Sequence, residues 1–447
     1  MNPRNNRVQL PTAVRSLSRR RFLKTSLAAA GGVALSRATV FAASNTEACV
    51  EKAHTEIWRR LMDRHGVMLD FAGLDGAVSI PTPEECRLGK PNALGWWSPI
   101  ENGAFFNGLY MEAAVNRWRA TRRPEDAAKA RRLAGGLMLL ASMSEVKGFV
   151  GRGMATDGRA HYPMGSDDQT LPWFYGLWCY LESGLAGADE RRRIVAKLVE
   201  VADEILRLKW QLPAEPPFHF RGGFAEIMFY QAPRLLFAAK MMHQVAGDAK
   251  WEAIYRAALR DRGGKEKLTR LELCERGMIY DHGGPGRRHS WTTSNCVAAM
   301  RALWEMEKDE AVRAAFGRGL EASAKVAMES LPDAMKFDND DRRHFDTDWR
   351  KLNASWKPQR TVAEAVAVAE VQSKELNKLA PRRGQELRFV REPAFAAWIV
   401  TLAPDRAALK QRTADVERVL SHYRYEQLYY SQFFPVEAAW WRLRMAD

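Results

Sequence analysis

The stretch LPWFYGLWCYLESGLAGADERRRIVAKL, residues 171–198, joins two segments of different character. Its first part is apolar nearly all round, the pattern of a helix buried on more than one side. A short turn holding Asp189 then leads into a charged, amphipathic segment. Similar joints recur at RRPEDAAKARRL, VAGDAKWEAIYRAAL, EKDEAVRAAFGRGL and LAPDRAALKQRTADV. Their turn aspartates, Asp126, Asp189, Asp248, Asp309 and Asp405, lie 63, 59, 61 and 96 residues apart. A period near 60 residues is one helical hairpin with its return loop. The long last interval contains a polar segment, residues 332–358, of about the surplus length, so an insertion interrupts the period.

Within each unit the second helix carries a single apolar face, as in Ala130, Leu133, Ala134, Leu137 and Ala141. Five such hairpins, an opening helix near residues 51–63 and a closing one near residues 426–444 make six pairs. The expected fold is therefore all-α, an (α/α)6 toroid over residues 43–447, with buried inner helices and an amphipathic outer ring.

The first 42 residues carry eight basic and no acidic side chains, including the run SRRRFLK, residues 18–24. This matches a twin-arginine signal peptide, followed by an apolar stretch, residues 27–35, and small residues near Ala42 for cleavage. Nine apolar residues are too few for a stable membrane span, which needs about 20. The expectations are a twin-arginine translocase as export partner and a periplasmic or secreted protein. Removing the eight charges from the formal net charge of +14 leaves +6. The remaining Lys and Arg are scattered among acids, without the basic stripe of a nucleic-acid binder. The five cysteines form no CxxC pair and are odd in number, which points away from zinc and from a disulfide framework and leaves one bridge possible in an oxidising compartment.

In SDDQTLPWFYGLW, residues 166–178, Ser166 and Gln169 have the spacing of a capping box, and Asp167 and Asp168 suit a first helical turn. Ser98, Pro99 and Glu101 read in the same way, as cap, favoured first residue and capping acid. Helix initiation thus competes with chemistry for all three carboxylates.

The hairpin layout, together with WSPIENGAFFNGLYMEAA (residues 97–114), SDDQTLPWFYGLW and RRHSWTTSNCVAAMRALW (residues 287–304), resembles the six-hairpin glycosidase superfamily, especially its unsaturated-glucuronyl-hydrolase-like branch. The resemblance implies a catalytic pair of acids at the starts of two successive inner helices. By position these are Glu101 and Asp168, with Asp167 as the alternative to its neighbour. The family usually places an aspartate where this chain has Glu101.

In a toroid the N-termini of the inner helices converge on one mouth. Three starts are rich in suitable groups: Trp96, Trp97 and Glu101; His161, Tyr162, Asp167 and Asp168; and Arg287, Arg288, His289 and Trp291. Paired carboxylates serve glycosidic cleavage, one protonating the leaving oxygen and one activating water or stabilising charge. Trp96, Trp97, Trp173, Trp178 and Trp291 could supply stacking faces, and Arg288 and His289 could hold a carboxylate on the sugar.

The sequence thus points to an exported glycoside hydrolase with a uronate-containing oligosaccharide or polysaccharide as partner. The alternatives are a polysaccharide lyase with Tyr162, His161 or His289 as base, or a carbohydrate-binding protein without turnover. No cofactor or metal is expected. The acidic run DNDDRRHFDTDW, residues 338–349, lacks the glycine and terminal glutamate of a calcium loop, and DHGGPGRRHSW, residues 281–291, lacks Walker spacing.

Overall fold

The structure, a computed structural model, describes residues 45–278 and 289–445. The signal segment lies outside these residues, as do Arg287 and Arg288. Helices dominate the described residues, and strands are confined to two short antiparallel hairpins, Gln211–Pro213 with Phe220–Gly223 and Arg262–Gly263 with Leu268–Thr269.

Thirteen of the helices carry the architecture. In chain order they are α1 (Asn45–Arg60), α2 (Gly103–Thr121), α3 (Pro124–Leu140), α4 (Asp167–Glu182), α5 (Ala188–Arg207), α6 (Ala232–Ala246) and α7 (Ala249–Ala258). After these come α8 (Ser290–Met306), α9 (Glu310–Met328), α10 (Val362–Leu379), α11 (Glu392–Thr401), α12 (Arg406–Leu420) and α13 (Pro435–Arg444). Helices α2, α4, α6, α8, α11 and α13 touch one another in that order, and α13 returns to α2. The ring is closed. Outer helices α3, α5, α7, α9 and α12 each pack on the inner helix before them, while α1 packs on α13. This is the (α/α)6 toroid, with its sixth hairpin assembled from the two ends of the described chain.

The inner and outer roles follow from composition. Helix α4 buries every residue from Gln169 to Leu181. Helix α5 buries only Ile194, Leu198, Val201, Ala202 and Ile205, a single stripe at helical spacing. The recurring aspartates mark where outer helices begin: Asp248, Asp309 and Asp405 are N-caps whose carboxylates accept first-turn N–H groups. Asp126 instead lies buried in the first turn of α3, accepting from Arg117 Nε at 2.9 Å and from the Thr121 hydroxyl at 2.6 Å.

Helices α2 and α4 are in unusually close contact because glycine faces glycine. A Cβ at Gly108 would lie 2.0 Å from the Pro172 carbonyl oxygen, and one at Gly176 would lie 2.7 Å from Gly108 Cα. That approach brings the starts of α2 and α4 side by side.

The interruption of the period extends past the expected residues 332–358. Two 3-10 turns, Leu331–Lys336 and Trp349–Ser355, lead into α10, which opens with a capping box of Thr361 and Glu364. Gln372 of α10 donates to Pro91 O at 2.7 Å and accepts from Asn92 Nδ2 at 2.8 Å. The insertion therefore braces the loop that leads into α2. Its acidic run is neutralised locally, with Asp340 on Arg424, Asp341 on Arg343 and Asp346 on Lys351. All five cysteines are free thiols. Among the described residues no helix is long and apolar enough to cross a membrane.

Candidate active site

The N-terminal ends of the inner helices form one mouth of the ring, and Glu101 stands just before the first of them. The capping-box expectation fails here. Helix α2 starts at Gly103, and the Ser98 hydroxyl turns back to Gly95 O at 2.7 Å. Glu101 Oε2 instead accepts the Trp97 N–H at 2.7 Å. Trp97 holds a left-handed backbone, φ 71°, a costly conformation for an aromatic residue. Its indole donates to Ala369 O of α10 at 2.8 Å, and the Arg383 guanidinium lies 4.9 Å from its ring centre. The insertion thus holds the strained residue that positions Glu101.

Asp70, which sequence reasoning missed, supports the same corner. Its carboxylate accepts Asn102 N–H at 2.8 Å and Asn102 Nδ2 at 2.6 Å. Burial, then the neighbouring Glu101 charge, drives the Asp70 carboxyl well above its ordinary range. Burial also raises Glu101, against the opposing pull of the Trp97 N–H, Arg152 and Arg383. Two acids in one desolvated corner resist ionising together.

At the start of α4 the capping box is again absent. The Ser166 side chain makes no cap hydrogen bond, and Gln169 reaches across to α2, accepting from Phe105 N at 3.0 Å and donating to Asn102 Oδ1 at 3.2 Å. Asp167 and Asp168 occupy the first turn but face the next inner helix. Arg234 of α6 spans both, with NH1 on Asp167 Oδ2 and NH2 on Asp168 Oδ1 at 2.7 Å. Burial raises the Asp167 carboxyl, but Arg234, Gln231 and Arg221 outweigh it and leave it below its ordinary range. Asp167 is thus a locked anion. Asp168 is the more accessible of the two, with its side chain 40% exposed against 18%. Pro172 lacks the N–H that would bond the Asp168 carbonyl, which loosens the helix at that residue.

Asp168 Oδ1 also accepts from Asn295 Nδ2 of α8 at 3.3 Å. Asn295 lies one turn after Trp291, on the same helix face. The Trp291 ring meets Phe105 of α2 at 5.6 Å, and Phe105 lies 6.3 Å from Phe395 of α11. Phe395 meets Phe434 at 5.3 Å. Aromatic rings from opposite sides of the toroid therefore close its axis and make an apolar floor beside Asp168. The Arg391 guanidinium lies 4.5 Å from the Trp291 ring centre, and its neighbour Glu392 accepts the Ser290 N–H at 2.8 Å.

Cations surround this floor. Arg152 is buried, bonded to Glu101 O at 3.0 Å and Met164 O at 2.9 Å, and its charge interacts with Glu101, Asp168 and Asp70. Burial and the nearby Arg221 bring it down to about 10. Among the described residues the buried Nε of Arg221 has no hydrogen-bond partner. The sequence clue to these groups was lone charges in apolar surroundings, such as Asp70 in VMLDFAG and Arg234 in APRLLFAAK.

The mouth therefore gathers Glu101, Asp167, Asp168, Trp97 and Trp291, with Trp96 packed edge-on against Trp97 at 5.8 Å and His289 preceding α8. Four expected residues are placed elsewhere. Trp173 is fully buried and donates to Leu137 O at 2.8 Å, so it packs α4 against α3. The Tyr162 hydroxyl donates to Lys90 O at 2.5 Å, with its ring buried against Gly95. His161 contacts Glu215 Oε1 at 3.1 Å and Arg159 O at 2.9 Å, so both ring nitrogens donate, and Glu215 raises its pKa despite burial. Neither Tyr162 nor His161 is placed as a lyase base. Trp178 lies at the other end of α4, donating to Gln244 at 3.1 Å. Arg288 is outside the described residues.

No protein-family model matches the chain, and no curated protein does. A solved structure of a family 76 glycoside hydrolase from a bovine Bacteroides thetaiotaomicron strain is similar to it with a TM-score of 0.41 at 11% identity. That similarity covers 90% of this chain and 78% of that one.

Proposed function

We propose that the protein is an exported glycoside hydrolase acting on uronate-containing oligosaccharides. The observation that carries this reading is the environment of Asp168. It is a part-exposed carboxylate oriented by Arg234 and Asn295, beside an aromatic floor and across Arg152 from the raised carboxyl of Glu101. Carboxyls whose surroundings differ in this way divide the acid and base roles. Glu101 gives its proton to the glycosidic oxygen as the bond to the anomeric carbon breaks. Asp168 takes a proton from the water whose oxygen attacks that carbon. Trp291 provides the stacking face, and Arg221 is the available guanidinium for a sugar carboxylate.

Activity on oligosaccharides ending in an unsaturated uronate tests the reading, because hydrolysis destroys their ultraviolet absorbance. Asp168→Asn is expected to lower turnover by at least about 100-fold while costing about 1.5 kcal/mol of stability, the scale of one charged hydrogen bond to Arg234. Rising absorbance on saturated substrates would mark a lyase, and tight binding without turnover a carbohydrate-binding protein. Export by the twin-arginine translocase is part of the proposal. Replacing Arg19 and Arg20 with lysine should strand the precursor in the cytoplasm, and normal export of that variant would exclude the route.

A further inference from the structure

The opposite end of the toroid holds a cavity of about 410 Å³, lined by the C-terminal halves of the six inner helices. The aromatic plug of Phe105, Trp291, Phe395 and Phe434 lies between this end and the mouth that holds Asp168. From the geometry we infer that the cavity is a binding site for a small hydroxylated carboxylate of monosaccharide size, a hydroxy acid such as a hexuronate.

Helix C-termini present carbonyl oxygens and partial negative charge, which would ordinarily repel an anion. Here three of the carbonyls at that end are already occupied by arginines. Arg119 donates to Glu182 O at 3.1 Å, Arg301 to Leu402 O at 3.2 Å and Arg406 to Met445 O at 3.3 Å. The deepest acid is occupied as well: Glu112 accepts from Tyr175 at 2.9 Å and Trp398 at 3.2 Å and is paired with Arg442 Nε. What remains in the lining is rich in donors, set against the exposed carboxylate of Glu182 at the rim. Arg442, whose side chain is only 15% exposed, meets Glu112 as an ion pair through Nε, and the Glu305 charge also reaches it. Asn116 and Gln244 accept through their amide oxygens, from Arg119 and Trp178, which leaves both NH2 groups free to donate.

Arg301 and Arg442 also confront each other. Burial and then the Arg442 charge depress the Arg301 guanidinium, a repulsion that Glu305 and Glu112 offset in part and that a bound anion would relieve further. Glu305 pairs with Arg301 through one oxygen at 2.7 Å, and its other oxygen can accept a hydroxyl. Donors for a carboxylate beside an acceptor for hydroxyls, in a volume of a few hundred Å³, define the ligand class. This inference is independent of the reaction proposed for the other mouth.

The test is calorimetric titration of the mature protein with D-glucuronate, D-glucose and inorganic phosphate, repeated in variants of each mouth. Glucuronate is expected to bind saturably, with glucose and phosphate much weaker. Arg301→Gln should weaken glucuronate about tenfold, the scale of one charge-assisted hydrogen bond, while Arg221→Gln at the other mouth leaves a glucuronate site of unchanged affinity. Arg406→Ala, at an exposed rim position, should weaken it by about threefold, less at high salt, and it serves should Arg301→Gln fail to fold. Absence of glucuronate binding overturns the inference. Equal binding of glucose or phosphate overturns the ligand class, and loss in Arg221→Gln without loss in the Arg301 and Arg406 variants overturns the location.

Discussion

Glu437 and Glu101 are both glutamates withdrawn from water beside an inner-helix start, yet their carboxyls move in opposite directions. Glu437, at the seam where α13 meets α1 and α2, accepts from His54 Nδ1 at 2.9 Å and from the Tyr110 hydroxyl at 2.6 Å, with Arg117 at 3.7 Å. Burial opposes its ionisation, but His54, Arg117 and Tyr110 overcome it and bring the carboxyl down to about 2. Glu101 has the Trp97 N–H as its close donor and a second acid, Asp70, as neighbour, so burial prevails and the carboxyl rises. Burial alone decides neither case. The difference lies in how many donors meet the charged form, and it separates a seam whose glutamate is held ionised from a mouth whose glutamate keeps its proton above the ordinary carboxyl range.

The largest effect should come from breaking the seam. Glu437→Gln removes the charge that His54 and Arg117 face, at a cost of about 3 kcal/mol or more in urea unfolding. Turnover of the folded fraction should stay near normal. A loss below about 0.5 kcal/mol, the ordinary range for a surface change, would show that the seam is not held by this charge.

Glu101→Gln is the converse experiment. It should lower turnover by about 100-fold, the scale of a positioned proton donor, with stability unchanged or slightly raised, because a desolvated acid has been replaced by a neutral group. If the proposed reaction holds, kcat/KM of the unmodified protein should fall on the alkaline side, where Glu101 gives up its proton above the ordinary glutamate range. A pH profile unaltered in Glu101→Gln would remove Glu101 from the acid role.

Asp167→Asn should fall between the two. It takes one arm from Arg234, costing about 1.5 kcal/mol as a lost charged hydrogen bond. Activity should drop about tenfold, the equivalent in turnover, as Arg234 leans on Asp168. Equal damage from Asp167→Asn and Asp168→Asn in steady-state kinetics would mean that the tandem acts as a unit.

The smallest effect is on the pH dependence of stability. Glu437 has a depressed carboxyl, so its contribution is present above the ordinary carboxylate range and is lost as pH falls through about 2. Asp70, Glu101 and Glu392 are raised by burial, so the native state holds their protons longer than the unfolded chain. Their share of stability is lost as pH rises from the ordinary range through their raised values. Thermal melts between about pH 4 and about pH 7, the range bracketing ordinary and raised carboxyl values, should show this decline, and Glu101→Gln should flatten it.

The ring was legible in the residues themselves. All-round apolar segments and single-faced segments alternate with period, and burial on one side or on several leaves that mark directly in composition. The turn aspartates at Asp248, Asp309 and Asp405 were equally legible, because a cap is a local interaction. Local grammar also misled. Ser98 with Glu101 and Ser166 with Gln169 carry the spacing of capping boxes, but Gln169 bonds to the neighbouring helix and Glu101 to a strained Trp97. The insertion showed its start, while α10 and its hold on Trp97 depend on contacts about 270 residues apart along the chain. Tertiary structure alone placed Asp70 beside Glu101, Arg234 across both aspartates, and Trp173, Tyr162 and His161 away from the mouth. Those outcomes are set by which side chains meet in space and how many donors reach each carboxylate, quantities with no period and no local spacing for a sequence to record.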